Sequence, residues 1–313
     1  MSQINVDIIK SASASAVTMI GPLGVVGLLG ANTTVGLTGS LNVTQYINNI
    51  KIKGGDENTG LGVTVLNNST GNYNTAVGSA ALALNTTGSH NIAVGSNALL
   101  FNSTGTWNTA VGSEALKNNT TSTSNVAIGS LSMTSNTTGS SNTAVGWYSL
   151  TANTTGYNNV ANGYTSLYTN TTGNNNTAIG NNSLKFSTTS SWNSSLGSLS
   201  LQNNTTGQYN TGIGGKSLSQ NITGNYNTAV GYESLINSGT GSYNTAIGYQ
   251  SNAINGASGS IIIGAEAEST ESGQLVIGST IHPIGPVENG SFSANAALNV
   301  IINGVACKIL LQI

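Results

Sequence analysis

Asn74, Asn91, Asn108, Asn125, Asn142, Asn159, Asn176, Asn193, Asn210, Asn227 and Asn244 follow one another at intervals of 17 residues without a slip, each opening a copy of Asn-Thr-Ala-Val-Gly or a close variant. A strict period of this length, with one asparagine and one glycine held in every copy, describes a chain wound into stacked coils rather than closed around one centre. The unit reads N-T-A-V-G-x-x-S-L-x-x-N-T-T-G-x-x. Its glycine recurs from Gly78 to Gly248 and its leucine from Leu82 to Leu235, with Met133 and Asn252 as the departures. A degenerate copy, one residue short, runs from Asn58 through Gly62 and Leu66 to Gly71. Beyond Gly248 the interval contracts to 16 residues at Gly264 and 14 at Gly278, where the local sequence becomes Ser-Ile-Ile-Ile-Gly and Gln-Leu-Val-Ile-Gly.

Asn, Thr, Ser and Gly dominate the unit, and their backbone competition and entropy oppose helix propagation. Strands fit better. Thr75 to Val77 alternates as a short strand with Ala76 on the face opposite its neighbours, and Ala81 to Leu84 reads as a second, weaker strand. Gly78 and the run Asn85-Thr86-Thr87-Gly88 supply corners, where glycine takes positive φ and Asn or Thr bonds the turning backbone. The fold class is therefore all-β, a parallel β-roll or β-solenoid of 17-residue coils followed by 16- and 14-residue coils.

In this reading Val77 and Leu82 form a thin core, and Ala76, Ala93, Ala110, Ala127, Ala144, Ala161 and Ala178 form a separate line on the other face of their strand. That line either invites close approach by another chain or faces a narrow interior of its own coil. A stack so polar buries little apolar area per ordered residue, which points to self-association, with a parallel homotrimer as the expected state. Asn162 stands where most coils have Val or Ile and marks a wetter rung or one with polar pairing, while Leu196 and Gly212 are further departures.

Seven lysines, no arginine and 9 acidic residues leave no electrostatic footprint for a phosphate backbone, so no nucleic-acid partner is expected. Cys307 is alone and reads as a small apolar residue of the last strand, neither a disulfide half nor part of a zinc site. His90 and His282 lie in unrelated contexts without a triad arrangement. Glu266, Glu268 and Glu271 are the only close group of three acids; a solvated loop is the plain reading and a cation or glycan contact the alternative. Asp56 and Glu57 form a polar entry to the first coil. No catalytic, cofactor-binding or metal-ligating residues, and no enzymatic activity, are expected. Val17 to Gly30 is apolar but broken by Gly21, Pro22, Gly24, Gly27 and Gly30, a poor membrane span and an indifferent signal peptide.

The position before each leading asparagine is aromatic at Tyr73, Trp107, Trp192, Tyr209, Tyr226 and Tyr243, with an imidazole at His90. Stacked coils align this position into a stripe, either a recognition surface for sugars or proteins or a shield for the edges of adjacent rungs. Trp147, Tyr148, Tyr164, Tyr232 and Tyr249 sit at or near the other corner. Asn85, Asn119, Asn136, Asn153, Asn170 and Asn204, with Asn102 and Asn221 as variants, spell N-glycosylation sequons. Duplication of one turn accounts for their period, and glycan on an external fibre is the other reading.

The rungs Ser260-Ile261-Ile262-Ile263-Gly264 and Gln274-Leu275-Val276-Ile277-Gly278 resemble the head repeat of YadA-type trimeric autotransporter adhesins. The longer N-T-A-V-G unit is similar to repeats in phage tail fibres and in fibre or surface proteins of large DNA viruses, and Val300 to Ile309 resembles the strand pair that closes many of those viral proteins. The resemblance covers about residues 58 to 313 and implies a left-handed trimeric β-roll. Unlike the bacterial adhesins, the sequence shows no heptad stalk and no recognisable C-terminal barrel.

The expected organisation is an attachment or trimerisation region over 1–57, the 17-residue array over 58–259, tight rungs over 260–280 and a β cap over 281–313. Val25, Val26, Leu28 and Leu29 would pack at a trimer axis or against a capsid, tail or baseplate protein. The expected function is a virion-surface fibre or spike that presents a host-recognition surface, with a host glycan or protein as partner; a purely structural spacer or clamp is the alternative.

Overall fold

The computed structural model describes residues 51–55, 57–67, 69–282, 297–302 and 305–310, the first and the last two of these stretches as backbone only. The expected attachment region up to residue 50, Asp56 and the side chain of Cys307 lie outside the described residues. Residues 58–278 form a parallel β-solenoid of about 13 turns, and no helix occurs among the described residues. Each turn of the array contributes one three-residue strand, as at Thr75–Val77, Ile92–Val94 and Thr109–Val111. These join a 15-stranded sheet whose first strand, Lys51–Gly55, runs antiparallel to Asn58–Gly62, while every later pair is parallel.

The register advances by one coil at each step, with Thr75 beside Ile92, Ala76 beside Ala93 and Val77 beside Val94. Toward the C-terminal end Thr245 pairs with Ile261, and Ile261 with Leu275. At roughly 4.8 Å per parallel neighbour, about 13 steps raise the stack by roughly 60 Å. Ala297–Ile302 and Val305–Leu310 form a separate antiparallel pair.

The interior decides between the two readings of the alanine line and reverses two other expectations, for the Val77 position and for Asn162. Ala76, Ala93, Ala110, Ala127, Ala144, Ala161 and Ala178 are fully buried together with Leu82 and its equivalents, so the alanine line faces its own coil. The Val77 position points outward instead, with Val94 at 36% and Ile128 at 41% exposure. The reason is width: opposite a leucine entering from the turn, a short coil has room for only a methyl group on the strand. Asn162 is accordingly exposed on the outer face and does not wet the core.

Ala81 to Leu84 is not a strand. It belongs to a run of turns over residues 79–84 in which Ala80 and Leu82 hold φ of 56° and 49°. Bonds between coils persist there, as from Leu82 N–H to Ala98 O at 3.0 Å, but alternate left-handed residues prevent an extended segment. A second strand pair appears only at Asn252–Ala253 beside Glu268–Ser269, where Asn252 replaces the left-handed leucine. Sequence reading assigned positive φ to glycine alone. The fold places three further residues per coil there, one of them the buried leucine.

Two buried columns of asparagine bind coil to coil. The main-chain N–H and Nδ2 of Asn91 donate to Asn74 Oδ1 at 3.0 and 3.1 Å, and Nδ2 also donates to Gly105 O at 2.8 Å. In the second column Asn102 Nδ2 donates to Asn85 Oδ1 at 2.7 Å and to the same Gly105 O at 3.0 Å. The corner carbonyl thus accepts from both columns.

Two thermal-unfolding comparisons check this arrangement. Gly146 holds φ +133° and a Cβ there would lie 2.6 Å from Gly163 O, so Gly146→Val is expected to lower stability by at least about 1 to 3 kcal/mol per chain, well beyond Ser130→Val. Asn142→Ala strands the buried Asn159 N–H, which otherwise reaches Asn142 Oδ1 at 2.9 Å, and is expected to cost about 1 to 3 kcal/mol. The exposed control Thr155→Ala should stay within about 0.5 kcal/mol.

Candidate recognition surface

The position before each leading asparagine is the same structural site in every coil. From Tyr73 through His90, Trp107, Ser124, Ser141, Asn158, Asn175, Trp192, Tyr209 and Tyr226 to Tyr243, φ stays between 55° and 61°. Each main-chain N–H from His90 onward donates to the preceding coil, as Trp107 to Ser89 O at 3.2 Å and Trp192 to Asn174 O at 3.1 Å. The left-handed turn fixes the direction of the side chain and leaves it outside the coil.

The six residues picked out from sequence form two blocks rather than one stripe. Tyr73, His90 and Trp107 stack with ring centroids 4.8 and 4.0 Å apart. Trp192, Tyr209, Tyr226 and Tyr243 form the second block, with separations of 6.3, 4.9 and 5.0 Å and planes within 7°. Near-parallel rings at about one rung spacing are offset-stacked, so each covers much of its neighbour's face and presents edges to solvent. Exposure nonetheless remains high: 61% for Trp107, 54% for Trp192 and 65% for Tyr243. The Glu57 carboxylate, one coil before Tyr73, raises the phenol pKa through a hydrogen bond.

At the other corner Trp147 meets Tyr148 at 5.1 Å and Tyr164 at 5.6 Å, and Tyr148 meets Tyr168 edge-on at 6.0 Å. Tyr168 was not singled out from sequence because it lies on a different position of the unit. Tyr232 and Tyr249 stack at 5.9 Å, with Lys216 Nζ 5.6 Å from the Tyr232 ring.

The sequence reading also leaves out an apolar stripe on the outer face of the sheet. Val94, Val111, Ile128, Ile179, Leu196, Ile213, Ile247, Ile263 and Ile277 are exposed along the outer face of the sheet. The alternation of the strand contained this signal, but the two faces were assigned in reverse.

The sequon asparagines are structural. Asn85, Asn102, Asn119, Asn136, Asn153, Asn170, Asn204 and Asn221 are fully buried, and their amides fill the second hydrogen-bonded column. A glycan on Nδ2 would require that nitrogen outside the coil, so the glycosylated reading does not fit the folded solenoid.

Few charges lie near these surfaces. Glu266 Oε1 is 3.8 Å from His282 Nε2, and Glu271 Oε1 accepts from Gln274 Nε2 at 3.2 Å. Glu268 instead lines a cleft of ≈ 690 Å³ with Asn203, Gln220 and Asn237. Among the described residues no three of His, Cys, Asp and Glu cluster to hold a metal ion, and no helix is long and apolar enough to cross a membrane. Glu233 takes Gln250 Nε2 at 2.7 Å and Lys216 Nζ at 2.9 Å, each one coil away. These contacts, Gln250 first and Lys216 next, hold its carboxyl at about 2.

Comparison with known proteins returns no matching family model, no matching curated protein and no matching solved structure.

The Glu233 contacts give a signed pH dependence. The folded carboxyl lies below its ordinary value of 4.5, so its contribution is complete above that pH and is lost as pH falls toward about 2. Glu233→Gln should therefore melt below the parent protein at neutral pH, with the gap closing through that window. A gap independent of pH would remove the carboxylate from the explanation.

Proposed function

We propose that this chain is a fibre or spike component of a virion, resembling tail-fibre proteins, and that its solenoid projects a host-recognition surface rather than performing chemistry. The observation that carries this reading is the display of large aromatic side chains at one repeated corner, each held outward by a left-handed backbone on an internally bonded scaffold. Such rings, rigid and half exposed, supply contact area at little entropic cost. The resemblance of the rungs to YadA-type heads and viral fibre repeats supports the virion-surface setting and a left-handed winding.

In this proposal the functional unit is a parallel homotrimer. Its interface is the outer Val and Ile face of the sheet, because the alanines are inside the coil. Covering a half-exposed Val or Ile is worth on the order of 1 kcal/mol, and the stripe repeats that gain at nearly every rung. Residues 1–57 would attach to a capsid, tail or baseplate protein, 58–259 and 260–280 would form the shaft, and 281–313 the cap. A second reading, a structural spacer or clamp, is favoured by that same apolar face, which a neighbouring virion protein could cover.

Two measurements separate these readings. Sedimentation of the full chain should give a trimer, and Ile128→Asp with Ile213→Asp should dissociate it while the β-sheet circular dichroism persists; a monomeric parent protein would end the trimer proposal. Soluble protein should compete with attachment of native particles to host cells. Antibody labelling of the particle without such competition would favour the spacer.

A further inference from the structure

Between Trp107 and Trp192 the aromatic column stops for four coils. Ser124, Ser141, Asn158 and Asn175 stand there on the backbone conformation that carries indoles and phenols elsewhere. One indole face of Trp107 is covered by His90, and the next coil carries Ser124 at the equivalent position, with no ring to cover the other face. Trp192 stacks on Tyr209, and the coil before it carries Asn175 at the equivalent position. Five rung steps separate the two indoles, roughly 24 Å.

We propose that this interval is a trough that binds an uncharged linear oligosaccharide laid along the solenoid, its ends packed on Trp107 and Trp192. The proposal rests on the recognition reading above and names the ligand class.

The chemistry of the trough selects that class. Ser124 and Ser141 are exposed with no protein partner for their hydroxyls, and Asn158 Nδ2 reaches Asn175 Oδ1 at 3.3 Å, leaving further donor and acceptor capacity facing solvent. Tyr157, also exposed, stands beside Asn158 at mid-length. The floor carries no charge, so it offers nothing to balance a sialylated or sulfated chain. Its hydroxyls and amides both donate and accept, as sugar hydroxyls do, and the flanking indoles suit the apolar faces of sugar rings.

A peptide added as a strand is disfavoured by the backbone. The N–H groups of Ser124, Ser141, Asn158 and Asn175 already donate to Thr106, Thr123, Ser140 and Tyr157 carbonyls at 3.0, 3.1, 3.2 and 3.1 Å.

The test is an array of neutral, sialylated and sulfated oligosaccharides probed with the full chain, followed by titration of the best neutral tetra- to hexasaccharide. Ser141→Trp fills the trough and should fold, because two tryptophans already occupy this position at the same φ near 60°. It is expected to abolish binding. Trp107→Ala and Trp192→Ala should each weaken it at least about tenfold, with melting temperatures confirming the fold. No binding of neutral glycans, binding of charged glycans only, or full binding by Ser141→Trp each overturns the proposal. If the soluble protein blocks attachment yet binds no neutral glycan, the trough fails and the recognition reading stands; if it binds the glycan without blocking attachment, the reverse holds.

Discussion

The structure depends on amide-to-amide hydrogen bonding between buried asparagines one coil apart. A coil this small admits one leucine, two small side chains such as Ala76 and Ala81, and two carboxamides, so apolar burial alone is too thin to offset the entropy of ordering its backbone. The asparagines fill the remaining volume without leaving polar groups stranded. Along most of the array a leading Oδ1 accepts two bonds from the next coil, as Asn91 does from Asn108, and the corner carbonyl accepts from both columns, as at Gly105. In a low-dielectric interior such a network is favourable only when nearly complete, which explains why the leading asparagine repeats without a slip.

A polar interior leaves the apolar side chains outside. The strand has two faces, and the inner one is restricted to Ala, Ser or Gly across the array, so the β-branched residues that favour strand geometry fall on the outer one. The corners behave similarly. At the position before the leading asparagine, large rings occupy left-handed backbone and stand outside the coil. The exposed aliphatic stripe and the aromatic blocks are thus consequences of coil width, and surfaces of both kinds are available to partners without any change to the interior.

The period, the Thr75–Val77 strand of each unit, the fixed glycines and the coil-to-coil register were legible in the sequence because each rests on spacing. What spacing does not encode is which face of a three-residue strand turns inward; Thr-Ala-Val fits either way until the width of the coil is known. Left-handed leucines were also invisible, since Leu82 pays a local strain of order 1 kcal/mol that only its complete burial offsets. The sequons misled for a related reason: an Asn-Thr-Thr corner reads as a surface turn, and only the stack shows its first residue turned in and its threonines turned out. The aromatic column was legible residue by residue. Its interruption from Ser124 to Asn175 is also written in the spacing, while the stacking within each block and the shared left-handed backbone needed the structure.

The departures within the array show that the interior is set between neighbouring coils rather than position by position. Ser187 stands where the second column calls for asparagine, and its hydroxyl turns to Ser190, itself in place of the corner glycine. Asn170 Oδ1 is left without a partner on that side, while Asn204 Nδ2 reaches Ser190 Oγ at 3.2 Å and so resumes the column. Eight residues after Ser187, Ser195 replaces the inner alanine and is met by Ser183 Oγ at 2.7 Å. Gly212 replaces it in the next coil, where a Cβ would lie 2.7 Å from Ser200 Oγ. Ser200 uses that space to reach Gly212 O at 3.1 Å and Ser217 Oγ at 2.8 Å. The missing methyl and the inward hydroxyl are one arrangement, so restoring alanine at residue 212 alone conflicts with the serine that fills its place.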